Sequence, residues 1–314
     1  TGRSNTAIGG GSQQGASGQT TGGYNVSLGE NTLFSLTTGN HNFAVGSNAG
    51  YSLTSGENNI ILGNAAGDAL TTTSNSVIIG RAAGTAINSA DANGTVLVGA
   101  YAGTAITDGQ YNTVMGTIAA ETMTTGNSNV VIGYNAGNDT NGSNSVIIGK
   151  DAGNDGSGVS NSVVIGTSAG AVVNGENATV VGYQAMMATT EPDNTAVGAY
   201  ALTALVDGEN NTAIGIAAGY RHNKGDDSTY IGWNAGYNAT GSDNTFVGSE
   251  AGKGGTTSAP YSSGENNVAL GYQALKGFTT AQRMVAIGFE AMTDVTTGAD
   301  SIAIGYQAAY YDVG

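Results

Sequence analysis

The 314 residues include no cysteine, so the chain has neither a disulfide frame nor a thiolate site. Positive charge is scarce too: 8 Lys and Arg stand against 23 Asp and Glu, and a net charge of −15 argues against binding nucleic acid or an anionic membrane surface. Charged residues are only 10% of the chain, which leaves solubility to Asn, Ser, Thr and Gly. No run approaches the roughly 20 apolar residues of a membrane span, so membrane insertion is not expected. Histidine occurs twice, at His41 and His222, and both read as solvated turn residues rather than a catalytic base or metal ligand. The first residues are neither a starting Met nor a signal-like segment and already fit the pattern described next, so the chain reads as the ordered part of something longer.

Glycine, in contrast, is abundant, with 53 residues placed at fixed points. The segment Asn211-Thr212-Ala213-Ile214-Gly215-Ile216-Ala217-Ala218-Gly219 returns along the whole sequence. Aligned on its central glycine, hereafter position 0, it gives eighteen copies from Gly9 to Gly305, usually 16 or 17 residues apart. A fixed period over the whole chain means a stacked array. The glycines at position 0, among them Gly63, Gly80, Gly133, Gly215, Gly232 and Gly305, read as structural turns with positive φ or close chain approach.

Position −1 is Ile, Val, Leu or Met in every copy, and position −3 is Val, Ile, Thr or Phe. These residue types favour strands, and because strand side chains alternate faces the two positions share one side. Taking that side as the interior makes Ile79, Ile132, Ile165, Ile214 and Ile304 core residues. Position −2 is then the outer face, yet it is also apolar over much of the chain, at Ile61, Ile78, Leu97, Val131, Ile147 and Val180. A strand apolar on both faces needs cover on both, so these six are expected to meet other copies of the chain. Thr at position −3 interchanges with Val, Ile and Phe, which suggests burial.

Ala at position +3 in sixteen copies suggests a crowded inward corner. Asn at position −4 in ten copies can bond along the array and satisfy backbone groups hidden in a packed turn. The expected fold is all-β: one parallel β-roll or β-solenoid of about eighteen rungs spanning residues 1–314, with insertions at 10–23 and 253–264.

Units such as Asn5-Thr6-Ala7-Ile8-Gly9, Asn194-Thr195-Ala196-Val197-Gly198 and Ser301-Ile302-Ala303-Ile304-Gly305 resemble the head repeats of YadA-like trimeric autotransporter adhesins and the repeat arrays of bacteriophage tail fibres. The resemblance covers essentially the whole chain. It implies three chains packed about one axis into an elongated homotrimeric fibre, extracellular or on a virion, with other fibre or tail proteins at its ends. The adhesin head repeat is typically shorter, nearer fourteen residues, which tilts the resemblance towards the phage fibres.

The expected function is therefore structural, reach and surface attachment, without enzymatic activity, cofactor or metal. The recurring Gly-Glu-Asn segments, as at Gly208-Glu209-Asn210, read as a row of turn carboxylates; the segments around Asp139 to Asn144 and Asn154 to Gly158 lack the ligand pattern of a calcium loop. Aromatic residues gather just after position 0. There Trp233 and Tyr183, with Tyr261 in the second insertion as the better placed, are candidate contacts to a cell-surface glycan or receptor, although the row itself reads rather as packing between chains. Two other classes stay open: a polysaccharide-binding or polysaccharide-cleaving β-helix, which needs a non-repeating acidic cluster, and an ice-binding solenoid, which needs an exposed flat row of Thr.

Overall fold

The computed structural model describes residues 4–15, 20–88, 92–156, 158–172, 174–188, 191–255 and 261–310. Parts of both insertions, 16–19 and 256–260, lie outside the described residues. Among the described residues every regular element is a three-residue β-strand, and no helix is long and apolar enough to cross a membrane. The chain is a β-solenoid whose contacts group it into two compact units, Thr1–Ser160 and Asn161–Gly314.

The first unit carries β1 (Thr6–Ile8), β2 (Val26–Leu28), β3 (Phe43–Val45), β4 (Ile60–Leu62), β5 (Val77–Ile79), β6 (Val96–Val98), β7 (Thr113–Met115), β8 (Val130–Ile132) and β9 (Val146–Ile148). The second carries β10 (Val163–Ile165), β11 (Thr179–Val181), β12 (Thr195–Val197), β13 (Thr212–Ile214), β14 (Thr229–Ile231), β15 (Thr245–Val247), β16 (Val268–Leu270), β17 (Val285–Ile287) and β18 (Ile302–Ile304). Within each unit every strand pairs in parallel with the next copy's strand. The register sets like on like: Ile61 beside Ile78, Ile78 beside Leu97, and Thr195 beside Thr212.

Each strand is short because glycine ends it. The six turn glycines Gly63, Gly80, Gly133, Gly215, Gly232 and Gly305 have φ between +133° and +139°, a region that side-chain-bearing residues rarely enter. Stacking adds a second restriction, since a Cβ on Gly215 would stand 2.6 Å from the Gly232 carbonyl oxygen of the next coil. The rest of the coil turns through left-handed residues that are frequently not glycine, such as Asn58, Ala65, Asn75 and Ala82, with φ of +52° to +59°.

Burial reverses the expected faces. Ile61, Ile78, Leu97, Val131, Ile147 and Val180 are completely buried inside their own coils, so they are core and not an inter-chain surface. The residues expected to be core point outward: Ile79, Ile132 and Ile165 are half-buried, Ile214 is 41% exposed and Ile304 67%. The reason is the size of the coil. Three strand residues present one side chain inward and two outward, and the thin interior takes only that one row from the strand.

The interior is completed by three further rows. Ala at position +3 is buried as expected, for example Ala66, Ala83 and Ala218. Position +4 is Gly where the neighbouring strand residue is large and Leu or Met in several coils where it is Ala, as at Leu202, Leu275 and Met292. Position +7 supplies Leu36, Leu53, Leu70, Ile87, Ile106, Met123, Leu205, His222 and Phe278, all with no exposed surface.

The Asn row forms the expected ladder. Asn42 Nδ2 donates to the Gly56 carbonyl at 2.9 Å, while Asn42 Oδ1 accepts from both the backbone N and Nδ2 of Asn59 at 3.1 and 3.0 Å. Asn211 repeats the arrangement in the second unit, accepting from Ser228 N and donating to the Gly225 carbonyl. Backbone groups that the packed turn hides from water are thereby paired.

Candidate functional site

Two surfaces stand out from the regular coil. The first is the outward strand face. In each unit positions −3 and −1 form two parallel rows, and the strand pairing keeps them aligned from coil to coil. Exposed members include Phe43, Ile60 and Met115 in the first unit and Ile214, Ile231, Val268 and Leu270 in the second. Over β11 to β15 the −3 row is an unbroken Thr ladder, Thr179, Thr195, Thr212, Thr229 and Thr245, each partly or fully exposed. These threonines face outward, against the expectation of burial.

The second surface lies on the other side of the turn, at positions +2 and +5 of the second unit. Tyr200, Ala217, Tyr220 and Tyr237 line an open cleft of about 300 Å³. Tyr183 and Tyr200 meet edge to face at 5.3 Å between centroids, Tyr200 and Tyr220 at 6.3 Å, and Tyr220 and Tyr237 stack at 4.9 Å. These are distances at which aromatic pairs attract. The Arg221 guanidinium carbon stands 4.6 Å from the Tyr261 ring centroid and 5.9 Å from that of Tyr237, and the same group donates to the Tyr261 hydroxyl.

A second, separate cavity in the same unit is polar. Asn238, Lys253, Gln273, Lys276, Thr293 and Asp294 line a cavity of about 400 Å³. The Glu250 carboxylate receives Lys253 Nζ at 2.6 Å, Lys276 Nζ at 3.1 Å and Gln273 Nε2 at 2.6 Å. Burial raises its pKa, but these three donors outweigh burial and hold it down to about 2. It is an anchor for two lysines and no proton donor at neutral pH. Asn238 is 2% exposed; its Nδ2 donates to the Gly254 carbonyl at 3.2 Å and its Oδ1 has no hydrogen-bond partner.

Of the three predicted contact residues, Tyr183 joins the aromatic cluster and Tyr261 stands over Arg221. Trp233, 52% exposed, sits on the row that directly follows the central glycines. Tyr220, Tyr237, Asn238, Lys253 and Lys276 escaped the sequence reading. For all but Asn238, which stands at position +6, the signal was present as bulky or charged residues at position +5 of successive copies, a row masked by its variability.

His222 is a correction. It is wholly buried at position +7, with Nε2 at 2.9 Å from the Gly225 carbonyl and Nδ1 at 3.1 Å from the Tyr230 hydroxyl. A neutral ring carrying its proton on Nε2 donates to Gly225 and accepts from Tyr230. Burial lowers its pKa, opposed by the Gly225 and Ala239 carbonyls and the Asp226 charge. The loop around Asp139 also has a structural use: Asn141 Oδ1 accepts from Thr124 N at 2.7 Å and Asp139 accepts from the Thr122 hydroxyl. Among the described residues no three His, Cys, Asp or Glu side chains gather as a metal site.

Comparison with family models and with curated proteins returned no match.

Proposed function

We propose that this chain is a structural fibre protein, of a phage tail fibre or a cell-surface adhesin, that assembles laterally as a homotrimer and provides reach and surface attachment. The observation that carries the reading is the outward strand face. Parallel sheets are ordinarily covered on both sides, yet here the −1 row of Ile, Val, Leu and Met remains on the outside of each unit, beside a −3 row of Val, Ile, Phe and Thr. Each such side chain has on the order of 1 kcal/mol still to gain from full burial, and the rows repeat at every coil. A like surface on a second and third copy matches their spacing without new design.

The test is to place charge on the rows. Val197→Lys, Ile214→Lys and Ile231→Lys together should lower the native mass in sedimentation while the β-sheet circular dichroism is retained. An unchanged oligomer would overturn the reading.

The Thr ladder of β11 to β15 supports a second reading, ice binding by a flat regular face. Thermal hysteresis in the purified protein would favour it over lateral assembly. Polysaccharide cleavage has less support: among the described residues Glu250 is the one buried carboxylate, and two lysines hold it ionised.

A further inference from the structure

We propose that Tyr220 and Tyr237 form an oxidative modification site, at which a one-electron oxidant joins the two rings as dityrosine and ties one coil of the second unit to the next. The bond forms within one chain, so it stands apart from lateral assembly.

A phenol that gives an electron to an oxidant and its hydroxyl proton to water becomes a radical. Its unpaired spin lies on the oxygen and on the ring carbons beside it, Cε1 and Cε2. Two such radicals couple through those carbons when the lobes above their ring planes face each other, which requires two tyrosines that are close and nearly parallel. Tyr220 and Tyr237 meet both conditions, with centroids 4.9 Å apart and planes 13° from parallel. Tyr183 and Tyr200 are nearly as close, at 5.3 Å, but perpendicular, and Tyr200 and Tyr220 are 6.3 Å apart at 73°. The other stacked tyrosines lack a second phenol: Tyr24 lies on His41, Tyr51 on Phe34, Tyr230 on Phe246, and Tyr272 and Tyr306 each on Phe289. Among the described residues, Tyr220 and Tyr237 are therefore the one pair of stacked tyrosines.

The coils hold this pair in place. The residues on both sides of Tyr220 are fastened to the next coil, Gly219 N donating to the Ala235 carbonyl at 2.9 Å and Arg221 N to the Tyr237 carbonyl at 3.0 Å. Both rings are half-buried, and with Tyr200 and Ala217 they line an open cleft of about 300 Å³ through which an oxidant reaches them.

A ruthenium(III) polypyridyl complex generated by light, with persulfate as the final electron acceptor, supplies the oxidant. Each ring loses its phenolic hydrogen, a Cε–Cε bond forms, and the hydrogen on each bonded carbon moves to oxygen as the rings regain aromaticity and their hydroxyls. Two tyrosines and one persulfate thus give one dityrosine, two sulfates and two protons. The product closes a loop between Tyr220 and Tyr237 and constrains the unfolded chain as a disulfide would, in a sequence without cysteine.

The test exposes the whole chain, at low micromolar concentration, to this oxidant and reads dityrosine fluorescence and the masses of the linked peptides. The expected principal product is a single chain lighter by two hydrogens, with its link between the peptides that contain Tyr220 and Tyr237. Tyr237→Phe keeps the ring, removes the phenol and should abolish that product, whereas Tyr183→Phe should leave it. Phe289→Tyr supplies the missing phenol between Tyr272 and Tyr306, whose rings lie 5.1 and 5.3 Å from it, and should create a second link there. The linked chain should also unfold at a higher temperature than the untreated one. Circular dichroism on each variant separates lost coupling from lost folding. Absence of dityrosine, a product that persists in Tyr237→Phe, or links that fall mainly between Tyr183 and Tyr200 or between different chains would overturn the proposal.

Discussion

Gly236 and Tyr230 occupy complementary parts of one space. A Cβ on Gly236 would stand 2.5 Å from Cδ1 of Tyr230, 2.6 Å from Cε1 and 2.9 Å from Cγ. Tyr230 is wholly buried, and Gly236 has φ of +61°. The same exchange recurs with opposite sign where Ala196 sits in the strand and Leu202 at the corner, both without exposed surface. In these two coils the strand and the corner exchange bulk.

Gly236→Ala should accordingly destabilise the protein by about 2–4 kcal/mol, from overpacking against a ring that cannot retreat plus the cost of a left-handed alanine. Chemical denaturation at fixed protein concentration reads this directly. The double variant Gly236→Ala with Tyr230→Ala should show positive coupling, the two changes together costing less than their separate costs added.

The Asn ladder predicts a sharp contrast between neighbours. Asn42→Ala removes the acceptor for two donors of Asn59 and the donor to the Gly56 carbonyl. Leaving such buried groups unpaired should cost about 2–4 kcal/mol, whereas Thr38→Ala, at an exposed site nearby, should stay within about 0.5 kcal/mol. Equal costs in thermal unfolding would contradict the ladder's role.

His222 predicts a pH dependence with a definite sign. Its folded pKa lies below the unfolded value of about 6.5, so the unfolded state binds more protons in the interval between them. Its contribution is fully present above about pH 6.5 and declines as the pH falls through that value towards the folded pKa. His222→Leu, which installs the residue found at Leu36, Leu53, Leu70 and Leu205, should flatten this limb of the stability profile. The Glu250 contribution is separate. Its pKa is held down to about 2, so its stabilisation is present above the unfolded carboxylate value and is lost as pH falls below that, towards 2.

The sequence pattern defined the strands well, because position 0 is invariant glycine and the three residues before it are strand formers in every copy. It also pointed to the Ala corner and the Asn ladder, whose chemistry has one plausible use each. It failed on the facing of the strand. With Val146, Ile147 and Ile148 apolar throughout, period-two alternation has no polar phase to read, and the choice between one inward side chain and two depends on coil thickness. The +7 row was missed because it lies in no regular element and ranges from Leu36 to His222 to Phe278. For the same reason His222 read as a turn residue: only the stacking of the next coil closes the space around it.

The most direct measurement is the native mass of the unheated chain by light scattering at low micromolar concentration. An outward apolar strand face shared by three copies predicts three times 31.0 kDa. A stable, monodisperse species of 31.0 kDa would contradict lateral assembly.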